Sequence, residues 1–163
     1  MANKIYTAIE TALLFADSAQ TPAATLTLSA LASGAGRISA RYDRGAGSHA
    51  AWYEWRLNWS LSGTNVVGAT VEVYAATSDG TYMDGVLGTS DAALVTGKRN
   101  NLKLAGLGVV DQVTTNVVMT ASGYIWIAQR YISLGIWNAT TLAFQTSTSL
   151  HQLYLTPIPD EIQ

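Results

Sequence analysis

Ala51-Trp52-Tyr53-Glu54-Trp55-Arg56-Leu57-Asn58-Trp59-Ser60 alternates with a period of two. Tyr53, Trp55, Leu57 and Trp59 share one parity, whereas Trp52, Glu54, Arg56 and Asn58 share the other. Successive side chains of a strand point to opposite faces, so the stretch reads as a half-buried antiparallel strand. The rhythm continues on both sides. Segment 37–42 groups Ile38, Ala40 and Tyr42, and segment 70–75 groups Val71, Val73 and Ala75. Further strands are expected over 25–31, 102–110, 114–120, 124–128, 133–137, 142–145 and 150–156. Gly34-Ala35-Gly36, Arg44-Gly45-Ala46-Gly47, Ser62-Gly63-Thr64-Asn65, Ser78-Asp79-Gly80 and Ser122-Gly123 supply turns, because Gly permits positive φ and Asp or Asn closes side-chain turns. Short strands at such regular spacing predict an all-β fold, an antiparallel β-sandwich or a barrel.

Two segments break the pattern. Thr7 to Leu14 has material for a turn or two of helix but nothing that sustains it, so residues 1–20 are expected to form an N-terminal arm leading into one sandwich domain over 21–163. Residues 77–101 are Gly- and Asp-rich and long for a hairpin loop, which predicts an ordered excursion of the kind that often carries function.

Composition narrows the partners. Charged residues are 12% of the 163, against about 25% in an ordinary soluble domain. Between Asp111 and Asp160 the only charged side chain is Arg130, among Tyr124, Trp126, Tyr131, Trp137, Phe144 and Tyr154. Surface so poor in charge implies cover by another protein. A net charge of -2 supplies no basic face for nucleic acid, and no window approaches the ~18 apolar residues of a membrane span. With no Cys there is no disulfide framework, thiolate metal site or Cys nucleophile. The first residues lack the apolar run of a signal peptide, so synthesis in a cytoplasm is expected. The sequons at Asn58 and Asn138 are then expected to be fortuitous.

The search for chemistry is mostly negative. His49 and His151 lie on separate segments with no spacing that assembles a metal site, and both read as structural. Asp79, Asp84 and Asp91 lack the alternating ligands and bidentate Glu of a calcium loop, so Asp-Gly turns are the better reading. Glu54 and Glu72 sit among aromatics and are the one carboxylate pair that a glycosidase would require, yet each occupies the polar parity of its strand. No nucleophile elbow or phosphate loop is present. No enzyme activity, cofactor, metal or small-molecule ligand is expected.

The five tryptophans admit two readings: a sugar-stacking platform, or core filling by Trp55 and Trp59 with Trp52 facing a neighbour. Parity favours the second. Tyr124-Ile125-Trp126-Ile127 is apolar on both parities and calls for cover on both faces. Tyr124, Trp126, Ile127 and Trp137 are therefore the candidate self-association surface. Arg37, Arg41, Arg44 and Arg56, with Trp52, are candidates for contact with a second protein, since Arg is favoured at interfaces; the alternative is a solvated face paired with Asp43 and Glu54.

Arg41-Tyr42-Asp43-Arg44-Gly45-Ala46-Gly47, Val71-Glu72-Val73-Tyr74-Ala75-Ala76-Thr77-Ser78-Asp79-Gly80, Leu87-Gly88-Thr89-Ser90-Asp91-Ala92-Ala93-Leu94 and Leu155-Thr156-Pro157-Ile158-Pro159-Asp160-Glu161 resemble a family of small proteins of tailed bacteriophages, from about Leu28 to the end. No residue in these motifs has a chemical role to carry over. The resemblance implies a virion protein on the capsid surface: a decoration or cement protein, often a homotrimer with a jelly-roll-like or other β-sandwich fold, that clamps neighbouring copies of the major capsid protein. A tail or baseplate component, or a carbohydrate-binding β-sandwich module, is the alternative. On the cement reading the arm and the 37–56 region touch the shell.

Overall fold

The inward parity of 51–60 becomes the centre of the molecule. The protein's structure, a computed structural model, describes residues 10–81 and 88–159. Among these, β1 is Leu13–Ala16, β2 Ala24–Thr25, β3 Gly36–Ile38, β4 Tyr42–Asp43, β5 Trp52–Trp59 and β6 Thr70–Ser78. They are followed by β7 Ala92–Ala93, a single helical turn α1 Thr96–Arg99, β8 Lys103–Val109, β9 Met119–Trp126, β10 Tyr131–Asn138 and β11 Gln152–Ile158. One sheet, A, runs β2-β1-β11-β5-β9; the other, B, runs β7-β3-β10-β6-β8, with β4 also on β10. The fold is an all-β sandwich in which every pairing but β1 with β2 is antiparallel. Pairing is nested: β1 joins β11, β3 joins β10, β5 joins β9, and β6 joins β8.

Trp55, Leu57 and Trp59 from β5, Val71, Val73 and Ala75 from β6, Ile132, Leu134 and Ile136 from β10, and Leu153 and Leu155 from β11 fill the space between the sheets. Two indoles in a thin sandwich need small residues opposite. A Cβ on Gly108 would fall 2.7 Å from the Trp59 ring, one on Gly123 would fall 2.7 Å from Trp55, and one on Gly106 would collide with Trp55 outright. The Trp55 Nε1–H donates to Ala105 O at 3.2 Å, at the bulge where β8 shifts register against β6. Gly123 is therefore an interior strand residue and not the turn its neighbourhood suggested. The strands expected at 114–120 and 124–128 merge into β9.

Other expectations change too. Residues 13–16 are not arm: β1 pairs with β11 through Leu13↔Leu155 to Ala16↔Gln152 and buries Phe15, and Ser18–Gln20 follows as a 3₁₀ turn. The arm's first nine residues lie outside the described residues. Of 25–31, only the start is strand, although Leu26, Leu28 and Leu31 are buried as the alternation implied. Segment 142–145 contributes one isolated bridge, Leu61↔Phe144. Of the excursion expected at 77–101, residues 77 and 78 end β6 and 82–87 lie outside the described residues; beyond them Leu94, with Leu102, covers Ile38, Tyr74 and Ala76 of sheet B in a second apolar cluster. Asn138 is buried, its Nδ2 donating to Leu31 O, Ala32 O and Leu142 O, so that sequon is inaccessible in the folded chain.

Candidate functional site

The four residues nominated for self-association are not brought together. Tyr124 and Trp126 stand outward on sheet A, 67% and 46% exposed. Ile127 is fully buried in its own core, so it has no surface to offer a neighbour. Trp137 lies on the outer side of sheet B, partly buried against the excursion, with the Arg99 guanidinium 4.3 Å from its ring centre. The inner face of 124–127 is buried, and the outer one, for which cover by a neighbouring copy is expected, is open in the single chain.

The arginines scatter as well. Arg37 forms an ion pair with Asp91, which also accepts from the Thr27 N–H at 3.0 Å. Burial works to raise the Asp91 carboxyl, but these donors outweigh it and hold it below the usual range. Arg44, with 2% of its side chain exposed, is an internal strut. It donates to Ala50 O at 2.6 Å, Ile127 O at 3.2 Å, Gln129 O at 3.0 Å and the Tyr53 hydroxyl at 2.6 Å. Arg41 is exposed and stacks over Tyr131 at 4.6 Å, beside Arg130, whose guanidinium grips Asp43 with two bonds of 2.6 and 2.7 Å. That grip holds the Asp43 carboxyl down at about 2. Arg56 is on the outer face of sheet A over Tyr154, at 4.8 Å. Of the five second-protein candidates, only Arg41, Trp52 and Arg56 are exposed.

A cluster that sequence reasoning missed closes one end of the sandwich. Glu10 meets His49 Nδ1 and the Tyr53 hydroxyl, accepts from the Ala50 N–H at 3.3 Å, and lies 3.6 Å from Arg44. Partial burial favours its neutral form, yet the Tyr53, His49, Arg44 and Ala50 contacts prevail and keep it ionised below the usual carboxylate range. Burial, then the Glu10 contact, pushes the Tyr53 phenol well up. Beside the cluster is a pocket of about 390 Å³ lined by Tyr42, Ser48 and His49 among others. Glu10 pairs with both Arg44 and His49, which makes the cluster a clasp, although the buried Arg44 Nε has no hydrogen-bond partner among the described residues. Nothing in the sequence separates these residues from ordinary loop polars, since Glu10 and Ala50 are forty positions apart.

The remaining nominated groups are dispersed. His151 is buried against Phe144, with ring centres 5.2 Å apart, and its Nε2 contacts Gln145 O at 3.0 Å. Asp79 closes a turn by accepting from the Thr81 N–H at 2.7 Å; Asp84 lies outside the described residues. Glu54 and Glu72 project from opposite sheets to opposite outsides, so they cannot flank one bond. Glu72 is bound to Arg99 at 3.1 Å and to the Tyr74 hydroxyl at 2.5 Å; burial and that carboxylate push the Tyr74 phenol up to about 12. Among the described residues, no three His, Asp or Glu side chains gather to hold a metal, and no helix is long and apolar enough to cross a membrane.

Two exposed surfaces stand out. The first is the side of the sandwich made by β8 and β9, the outermost strands of their sheets. Because Gly106 and Gly108 turn inward to seat the indoles, the large residues of β8 turn outward: Leu104, Leu107 and Val109 are exposed, with Val113 and Val118 in the following loop. Lys103 is the only charge on either strand, and its Nζ donates to Trp126 O at 3.2 Å. The second surface is the outer face of sheet A, where register places Trp52 opposite Trp126, Glu54 opposite Tyr124, and Arg56 opposite both Ser122 and Tyr154. Comparison with known proteins finds no matching family model and no matching curated protein.

Proposed function

We propose that the chain is a structural protein of a tailed-phage virion, a head decoration protein that self-associates as a trimer and clamps neighbouring capsid subunits. The observation that carries the assembly half is the unguarded side formed by β8 and β9. Soluble proteins blunt such edges with Lys, Pro, bulges or short strands, because unpaired N–H and C=O groups template further pairing. Here seven- and eight-residue strands share one Lys and one bulge, flanked by exposed Leu104, Leu107 and Val109. A neighbouring copy would bury these aliphatics. Nested pairing supports a jelly-roll reading, since a long hairpin wrapped into two sheets joins first strand to last, second to second-last, and so inward.

Clamping needs no catalysis. A protein that binds the closed shell and not its free subunits opposes opening by mass action, and repetition over a lattice strengthens weak contacts. Arg41 is exposed at the end that holds the Glu10 clasp and would be the basic contact to the shell. The test is addition of purified protein to heads that lack it. Saturable binding that raises the temperature at which heads release DNA, weakened by Arg41→Glu, is the expected result; no binding to heads overturns the reading.

A further inference from the structure

The outer face of sheet A carries a different kind of surface from the β8–β9 side: its large exposed groups are aromatic, not aliphatic. Trp52 is 48% exposed and directly opposite Trp126, and Tyr124 is one step further along the same strand face, opposite Glu54. Tyr154 follows on β11 beneath the Arg56 guanidinium. Alternate residues of a strand are about 6.6 Å apart, so the rings from the Trp52 row to the Tyr154 row span ~13 Å, room for more than one sugar ring.

Polar groups are interleaved with the rings. Among the described residues Glu54 has no hydrogen-bonding or ionic partner, and Arg56 is held only by stacking. Beyond them the row ends in a fixed amide network: Thr120 Oγ1 donates to Asn58 Oδ1 at 3.0 Å, Asn58 Nδ2 to Gln152 Oε1 at 3.4 Å, and Gln152 Nε2 to Gln20 Oε1 at 2.6 Å. The four strands carry one acid and one base outward, Glu54 and Arg56, and at the margin the Lys103 ammonium lies 5.7 Å from the Trp126 ring centre and donates to Trp126 O. The face therefore carries little net charge and matches a ligand without one. It is rigid, being four paired strands wide, and its free carboxylate and guanidinium are matched by groups that both donate and accept hydrogen bonds.

We propose that this face binds a neutral oligosaccharide, with its C–H surfaces on Trp52, Trp126 and Tyr124 and its hydroxyls on Glu54 and Arg56. Aromatic side chains offer a large apolar contact at small entropic cost, whereas desolvation of unpaired Glu54 and Arg56 by an apolar partner would be costly. The inference is independent of the assembly reading, because Leu104, Leu107 and Val109 belong to the other surface.

The experiment titrates the intact protein with short neutral α-glucan, β-glucan, galactan and chitin oligomers, following tryptophan fluorescence and heat, with light scattering in parallel. One oligomer class is expected to give a saturable change without altering the native mass. Trp52→Ala and Glu54→Gln, both on the outer face, are expected to weaken it by about tenfold each while leaving thermal unfolding unchanged. No binding by any class overturns the proposal. So does a drop in native mass with Trp52→Ala, which would assign the face to a second copy of the chain.

Discussion

Trp55 sets what its neighbours can be. Its indole lies against Gly106 and Gly123 and donates to a bulge carbonyl, so one side chain dictates two glycines on different sheets. Gly123→Ala places a methyl group within 2.7 Å of the ring and should destabilise by about 1–3 kcal/mol in urea unfolding, as overpacking does. Combining it with Trp55→Phe should be less than additive, because the smaller ring vacates the space; strict additivity would show that the glycine is needed for another reason. His151 is the residue that ties stability to mild acid. Burial lowers its pKa from the ordinary 6.5, so the unfolded chain takes up the proton first and stability falls as pH drops below about 6.5. The carboxylates Glu10, Asp43 and Asp91 also have lowered values, but their losses begin further into acid. Melting temperature should therefore decline between pH 7 and about 5 in the native protein and be nearly flat there in His151→Gln. An equal decline in both would place the acid sensitivity elsewhere.

At the scale of elements, alternation was informative wherever one parity faced the core. It located β5, β6, β10 and most of β11, and it placed Trp55 and Trp59 inside with Trp52 outside. It failed where the residues on the inner face are small. Gly123 reads as a turn, because only the three-dimensional position of the Trp55 indole explains a glycine inside β9, whereas the strand expected over 102–110 is β8, with Gly106 and Gly108 inside it. Leu13-Leu14-Phe15-Ala16 has no alternation to detect, since β1 is short and lies between β2 and β11. The Glu10 clasp and the open aliphatic row on β8 were illegible for related reasons: one joins distant loops, the other inverts the usual parity. β1 gives this level its prediction. Deleting residues 2–9 keeps the strand and the clasp and gives the reference for a longer truncation. Deleting 2–16 strips Phe15 from the core and frees the β11 edge, a loss of at least about 3 kcal/mol. Equal stability of the two truncations would contradict the assignment of β1.

For the whole molecule, one asymmetry organises the account. Leu94 and Leu102 cover the Ile38, Tyr74 and Ala76 part of the outside of sheet B from within the chain, while the outside of sheet A and the β8–β9 side are left open. The charge-poor last third of the sequence therefore divides into a core, which β10 and β11 supply, and an edge, which β9 supplies. On this account the edge is an assembly surface and the aromatic face is a ligand surface, and a single substitution can separate them. Leu107→Lys puts a charge in the middle of the β8 row without touching the core. Native mass by light scattering across a concentration series, for the unmodified chain and for Leu107→Lys, is the measurement that tests the central claim. A trimer that persists on dilution, and a folded monomer for the variant, is the predicted result. A monomer at every concentration for the unmodified chain, or an unchanged trimer for the variant, would contradict it.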